Sequence, residues 1–180
     1  VLGTPDSLEL VRQAGGEVVP GDQDAPVLVV CDERGFDFVR HVDDTLSMLF
    51  ARLDRGDLVR LVLPNPDLVY PKTETGFGIT AGCLALLFEG ALAQRYPERD
   101  DLRFERLGKP NLPIYQAALD RAGVSPREMV MVGDQPGTDI RGANAAGIPS
   151  ALVPTGLNNR NAADLPAAER PTYLLSSLEL

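Results

Sequence analysis

Short apolar runs alternate along the chain with longer segments in which apolar residues recur every three or four positions. The short runs predict buried strands over residues 27–31, 58–63, 102–106, 129–132, 149–153 and 172–175. The longer segments predict helices that end near Ala14, Leu53, Tyr96, Ala122 and Ala146. Such alternation, with short connections, is typical of parallel strands flanked by helices, so the sequence predicts an α/β fold.

Polar residues and glycines predict where these helices begin and end. Asp6 or Ser7 is expected to cap the first helix, and Asp43 and Asp44 to lie at the start of the second. Glycine favours the backbone conformation that closes a helix. The glycines expected to stop the first, second, fourth and fifth helices are Gly15, Gly56, Gly123 and Gly147.

Charge and composition narrow the classes of function. Seventeen basic and 26 acidic residues give a net charge of −9, which argues against a broad surface for nucleic acid or anionic lipid. The longest apolar stretch, residues 83–88, is far shorter than the roughly 18 residues that cross a bilayer. Cys31 and Cys83 form no CxxC pair, so neither a disulfide framework nor a zinc site is predicted. A reducing cytoplasm is the expected location.

The strongest chemical signal is the run GDQPGTDI at residues 133–140, which follows the strand predicted at residues 129–132. Ligands of open α/β sheets bind at the carboxyl ends of the strands, where Asp134 would lie. Asp134 and Asp139 could share a hard cation with oxygen ligands, and Mg²⁺ is the natural candidate. The alternative is that Asp139 or Thr138 caps a helix and Asp134 belongs to an ordinary turn.

Lys109 supports the first of these interpretations. It lies in Gly108-Lys109-Pro110, directly before the helix predicted from Asn111. Phosphoryl transfer needs fixed positive charge beside the transferring oxygens, which a lysine and a cation supply. A single surface lysine usually only contacts water. The order of lysine, helix, strand and paired aspartates is a more specific signal for a phosphate site than any one of these features alone.

This order of motifs resembles the haloacid dehalogenase (HAD) superfamily, and in particular its type IIA phosphatases, such as nitrophenylphosphatase-like and phosphoglycolate phosphatases. Residues 108–156 resemble the third and fourth motifs of the family, residues 171–180 its closing strand, and residues 1–19 the segment before its cap. The resemblance implies a Rossmann-like core with a parallel sheet, interrupted by an inserted α/β cap of type C2. It divides the chain into a partial core (1–24), a cap (25–101) and the second half of the core (102–180).

The resemblance also implies an activity and a set of site residues. The expected reaction is Mg²⁺-dependent hydrolysis of a small phosphorylated metabolite through an aspartyl-phosphate. Asp134 would bind the metal, Asp139 would support it from the second shell or through water, and Lys109 would act in catalysis and hold the phosphoryl group. Asn65 and Asp67, in a cap turn where the family usually has threonine at the position of Pro64, would contact the substrate. Homodimerisation through the cap is a further expectation.

The nucleophile of the family is missing from this sequence. The family's DxDG motif supplies both the attacking aspartate and the acid/base residue, and no DxDG occurs in the 180 residues. It is expected to precede Val1, as is the serine or threonine of the second motif. Asp22-Gln23-Asp24 and Asp32 imitate parts of the motif, but their contexts predict structural roles.

Two other readings stay open. A noncatalytic binding module that keeps the metal and phosphate half-site would also lack the nucleophile. The string Gly76–Ala81 fits the dinucleotide pattern GxGxxA, but a charged loop precedes it where that fingerprint needs a strand. The single histidine, His41, has no nucleophile partner nearby in the sequence and is expected at the surface or its boundary.

Overall fold

The structure, a computed structural model, describes residues 1–73, 75–153 and 161–178. It contains two compact units. The N-terminal unit consists of Val1–Tyr70 and Phe77–Arg106, and the C-terminal unit of Pro71–Gly76 and Leu107–Leu180. The end of the fourth-motif resemblance, residues 154–156, lies outside the described residues. The division into core and cap at residues 24 and 101 stays a prediction.

The N-terminal unit has a parallel sheet with helices around it. Its helices are α1 (Pro5–Gln13), α2 (Phe38–Asp54) and α3 (Ala81–Arg95). Its strands are β1 (Val27–Val29), β2 (Arg60–Leu63), β3 (Val69–Pro71), β4 (Phe77–Ile79) and β5 (Glu105–Arg106). The strand order β1-β2-β5 is parallel throughout, and β3 and β4 form a separate two-stranded sheet.

The core of this unit forms because α2 and α3 turn apolar stripes inward. On α3, Leu84, Phe88 and Leu92 recur at four-residue spacing and are buried. The buried residues of α2 include Leu49 and Leu53, again four apart. Burying each such side chain contributes about 1.5–3 kcal/mol, which makes this cluster the main source of stability of the unit.

The first two helices begin earlier than predicted. Thr4, rather than Asp6 or Ser7, caps α1, and its Oγ1 accepts a hydrogen bond from the Ser7 amide at 3.4 Å. Pro5 then occupies the first turn, where its missing N–H costs nothing.

The prediction for α2 was wrong by a full turn. The helix starts at Phe38 with Asp37 as its cap, so Asp43 lies in the second turn. The apolar pattern concealed this start because Phe38 and Val39 are exposed.

The segment predicted as a loop before Gly78 contains β3 and β4. Gly78 lies inside β4 against the Tyr70 ring, where a Cβ would clash, and Gly76 precedes the strand. Neither glycine forms a turn from a strand into a helix. The dinucleotide reading therefore loses the geometry on which it depends.

The C-terminal unit repeats the architecture. Helix α4 (Leu112–Ala122) ends at Gly123, whose φ of 66° confirms the predicted stop. Strand β6 (Met131–Gly133) leads through a π-helical turn, Pro136–Ile140, into α5 (Arg141–Ala145), followed by β7 (Ser150–Leu152) and β8 (Tyr173–Leu174). Short 3₁₀ turns lie at Pro126–Glu128, Ala162–Asp164 and Ala167–Glu169.

The strands of this unit are parallel in the order β6-β7-β8. Together with the parallel sheet of the N-terminal unit, they confirm the predicted α/β class. No helix within the described ranges is both long and apolar enough to cross a membrane.

Candidate active site

The end of strand β6 brings a glycine and an aspartate to the edge of the sheet. Gly133 is the last residue of β6, and a Cβ there would clash with the Asp139 carboxylate. Only glycine therefore lets the π-helical turn fold back this closely on the strand end. Asp134 follows at the carboxyl edge, where ligands of open parallel sheets bind.

Asp139 is the centre of the site. Its side chain is only 2% exposed, yet both oxygens have donors. Oδ2 accepts hydrogen bonds from the amides of Asp134 and Gln135, each at 3.1 Å, and Oδ1 accepts one from Lys109 Nζ at 2.6 Å. A buried carboxylate is tolerated only when paired in this way. Asp139 thus fixes the backbone that carries Asp134.

Lys109 reaches this carboxylate from the turn before α4. The turn is closed by Asn111, whose backbone N and side-chain Nδ2 both donate to the Gly108 carbonyl, at 3.0 and 2.8 Å. The Lys109 side chain remains 36% exposed. An ammonium group has three donors, so contact with Asp139 leaves donors for an anion.

Asp134 differs from Asp139 in its surroundings. It is partly exposed, and within the described part of the chain neither oxygen of its carboxylate accepts a hydrogen bond. Mg²⁺ typically binds one or two carboxylates and keeps several waters, so Asp134 fits a direct ligand. The oxygens of Asp139 are already occupied. Among the described residues no three His, Cys, Asp or Glu side chains form a cluster that could hold a metal by themselves.

Tyr115 is a residue of this site that sequence reasoning missed. Its ring is buried, and its hydroxyl lies 3.1 Å from the carbonyl oxygens of both Thr138 and Asp139. Burial and the nearby Asp139 charge raise the pKa of Tyr115 to about 12. A buried tyrosine needs a partner for its hydroxyl, which is a sequence signal, but nothing in the sequence identifies the partner.

Comparisons with known proteins bear on the family and the fold of the chain. Residues 106–180 match the family described as HAD-hydrolase-like. The whole fold resembles a possible sugar phosphatase of the HAD superfamily from Cytophaga hutchinsonii, with a TM-score of 0.76 and 30% identity over 99% of this chain and 64% of that one. This chain belongs to the haloacid dehalogenase superfamily.

Two further relatives are phosphatases by name. A glycerol phosphate phosphatase from Mycobacterium tuberculosis, solved in complex with magnesium, has a TM-score of 0.72 and 26% identity over 96% of this chain and 48% of that one. The phospholysine phosphohistidine inorganic pyrophosphate phosphatase of Xenopus laevis is 39% identical over 120 residues, 63% of this chain and 42% of that protein. The chain spans less than two thirds of the length of each of these three relatives.

Asp24 and Asp32, two of the three aspartates that imitate parts of the nucleophile motif, are engaged in structural contacts. Asp24 receives hydrogen bonds from Arg52 at 2.7 Å and Arg55 at 3.0 Å, which lower the pKa of its carboxyl. Asp32 Oδ2 accepts hydrogen bonds from the Thr4 amide at 3.2 Å and the Ser7 hydroxyl at 2.5 Å, which fixes the start of α1. These contacts support the structural interpretation of both aspartates.

The predicted substrate residues lie in the N-terminal unit, separate from the unit that holds Lys109. Asn65 Oδ1 accepts the Asp67 amide at 3.1 Å, which closes a tight turn between β2 and β3. The Asp67 carbonyl accepts the Thr80 hydroxyl and, at 3.1 Å, the Gly82 amide. The turn is therefore attached to the start of α3, while its role towards a substrate stays a prediction.

Proposed function

We propose that this HAD chain carries the cation and charge half of the active site of a Mg²⁺-dependent phosphatase that hydrolyses a small phosphate monoester. The observation that carries the proposal is the contact of Lys109 Nζ with Asp139 at 2.6 Å, together with the two amides held by the same carboxylate. The proposal is supported by the position of Asp134 directly after the same strand end, with a carboxylate that accepts no hydrogen bond from the described residues. The family match and the phosphatase relatives support the same class of reaction.

Each residue of the site has a distinct role in this proposal. Asp134 would hold Mg²⁺, which would neutralise charge on the phosphoryl oxygens. Asp139 binds no metal directly, but it orients the Asp134 backbone and the Lys109 ammonium. Lys109 offsets phosphoryl charge with the donors that Asp139 leaves free. The attacking aspartate, which would form the aspartyl-phosphate, is one that these 180 residues do not carry.

The same proposal assigns residues 25–101 to a cap that selects the phosphorylated metabolite. Asn65 and Asp67 would contact the substrate there. The attachment of their turn to α3 supports a rigid contact surface. Homodimerisation through the cap and a cytoplasmic location remain predictions that follow from the family resemblance.

A noncatalytic binding module is the competing function, favoured by the absence of DxDG from the sequence. It would bind Mg²⁺ and phosphate at the same residues without turnover. The two functions differ only in hydrolysis, so an assay of hydrolysis separates them.

The test is hydrolysis of 4-nitrophenyl phosphate with and without Mg²⁺, with the intact mass of the assayed polypeptide measured in parallel. We expect Mg²⁺-dependent hydrolysis in a polypeptide that includes a DxDG segment, and its loss on Asp134→Asn, because the amide cannot replace the carboxylate as a charged ligand. Asp120→Asn, on the exposed side of α4, is the matched control and should hydrolyse normally. Phosphate binding without any hydrolysis in the DxDG-containing protein would favour the binding module instead.

A further inference from the structure

Tyr115 connects helix α4 to the turn that carries Asp139. Its hydroxyl lies 3.1 Å from both the Thr138 and Asp139 carbonyl oxygens, and its ring lies against Gly142 so closely that a Cβ there would clash. The hydroxyl can donate only one proton, which the two carbonyls share. The contact needs a tyrosine on α4 and a glycine on α5 at the same time.

The backbone bonds of the turn converge on few acceptors, and the Arg141 amide after it donates to the Pro136 and Thr138 carbonyls. The amides of Thr138, Asp139 and Ile140 all point to the single carbonyl of Gln135, at 3.3, 2.9 and 3.4 Å. A single π-helical turn of this kind is a rare conformation that is found mostly at functional sites. An outside donor that fixes two of its carbonyls therefore determines the direction in which the Asp139 side chain leaves the turn.

That direction controls the rest of the site. Asp139 reaches back to the amides of Asp134 and Gln135 and across to Lys109 Nζ, all within 3.1 Å. A small rotation of the turn would lengthen all three bonds together. The path from the Tyr115 hydroxyl to the Asp134 backbone thus runs through one carboxylate.

We propose that Tyr115 is a positioning residue, whose hydroxyl fixes the Asp139 turn and thereby the geometry of Asp134 and Lys109. The inference rests on the proposed function in assigning Mg²⁺ to Asp134. It goes further by making the affinity for the cation depend on a hydroxyl that contacts neither cation nor phosphate. A purely structural tyrosine would affect stability and leave cation affinity unchanged.

The test compares Tyr115→Phe, which removes only the hydroxyl, with the wild-type chain. Hydrogen exchange measured by NMR follows the Asp134 and Gln135 amides relative to the Val153 amide, which bonds to the Gly133 carbonyl at 2.9 Å. We expect the two amides to exchange about tenfold faster relative to Val153 in the variant. Titration calorimetry with Mg²⁺ alone should show a dissociation constant raised about tenfold, at the lower end of the effect of residues that orient metal ligands.

Leu119→Ala is the control for a merely structural effect. Leu119 is buried in the same cluster, one helical turn from Tyr115, and has no polar contact with the Asp139 turn. We expect it to lower the melting temperature at least as much as Tyr115→Phe and to leave the Mg²⁺ dissociation constant within about twofold of wild type. Gly142→Ala, which pushes the ring aside, should reproduce the Tyr115→Phe pattern.

The outcomes separate this inference from the proposed function. Equal loss of Mg²⁺ affinity in Tyr115→Phe and Leu119→Ala would overturn the positioning role, and so would unchanged amide exchange or unchanged Mg²⁺ affinity in Tyr115→Phe. A wild-type chain that binds no Mg²⁺ would instead contradict the proposed cation site. In that case the exchange rate of the Asp134 and Gln135 amides, relative to that of the Val153 amide, decides whether Tyr115 positions the Asp139 turn.

Discussion

At the scale of single residues, the site depends on one buried carboxylate with several donors. The sequence pointed to Lys109, Asp134 and Asp139 because their order along the chain is specific. It did not reveal that Asp139 holds the amides of Asp134 and Gln135, since such contacts depend on how the turn folds back. Tyr115 was missed for the same reason, because its partner is a backbone carbonyl and backbone carbonyls have no sequence signature.

Lys109→Met should destabilise the protein because it leaves Asp139 buried without its cation. We expect the free energy of unfolding, measured by urea denaturation at neutral pH, to fall by about 1–3 kcal/mol. Lys72, the only other lysine of the sequence, is exposed and provides the control. Lys72→Met should change the free energy of unfolding by less than about 0.5 kcal/mol. The double variant Lys109→Met/Asp139→Asn should lose less free energy of unfolding than the two single variants lose in sum. Losses that simply add would contradict a stabilising contact between Lys109 and Asp139.

The Tyr115 hydroxyl should also make stability depend on alkaline pH. Its pKa in the folded chain is raised from 10.0 to about 12, so the folded state keeps this proton more tightly than the unfolded state. Stability from this group is complete below pH 10 and is lost as the pH rises towards 12. Urea unfolding at a series of pH values should show a steeper loss above pH 10 in wild type than in Tyr115→Phe. Identical slopes would show that the group does not contribute.

At the scale of elements, helix α3 and strand β5 are joined by an ion pair whose carboxylate is buried and whose arginine is half-buried. Glu89 is 3% exposed, and it accepts the Phe104 amide at 2.8 Å and Arg106 Nη2 at 3.0 Å. The buried face of α3 is an apolar stripe that also contains Glu89. The burial of this glutamate could not be predicted from its own segment, because its partners, the Phe104 amide and Arg106, lie beyond the end of α3.

Glu89→Ala should therefore be strongly destabilising. It leaves the Phe104 amide without an acceptor and Arg106 without its counter-charge, and we expect a loss of about 2–4 kcal/mol in thermal or urea unfolding. Glu89→Gln keeps an oxygen acceptor in a side chain of the same shape, so its free energy of unfolding should fall clearly less than that of Glu89→Ala. Glu98→Ala, in an exposed segment, serves as the control and should have little effect. Equal losses for the alanine and glutamine variants would argue against the amide contact as the main contribution.

The elements that sequence reasoning placed wrongly are those whose residues show little or no apolar pattern. The start of α2 was missed because its first turn is exposed, so apolar spacing carried no information there. Strands β3 and β4 were missed because they are three residues each and too short to show alternation. The helix stops that depend on a single glycine, such as Gly123, were predicted correctly, because a positive φ at that residue ends the helix whatever its partners.

At the scale of the whole molecule, the sequence by itself determined the α/β class, the parallel sheets and the superfamily. These follow from signals that are local and repeated: strand and helix alternation, glycine stops and ordered motifs. Only the tertiary structure decided which polar groups meet. It paired Lys109 with Asp139 and brought Tyr115 to the turn that carries Asp139. Such pairing depends on distances between segments that are remote in sequence, which neither composition nor periodicity encodes.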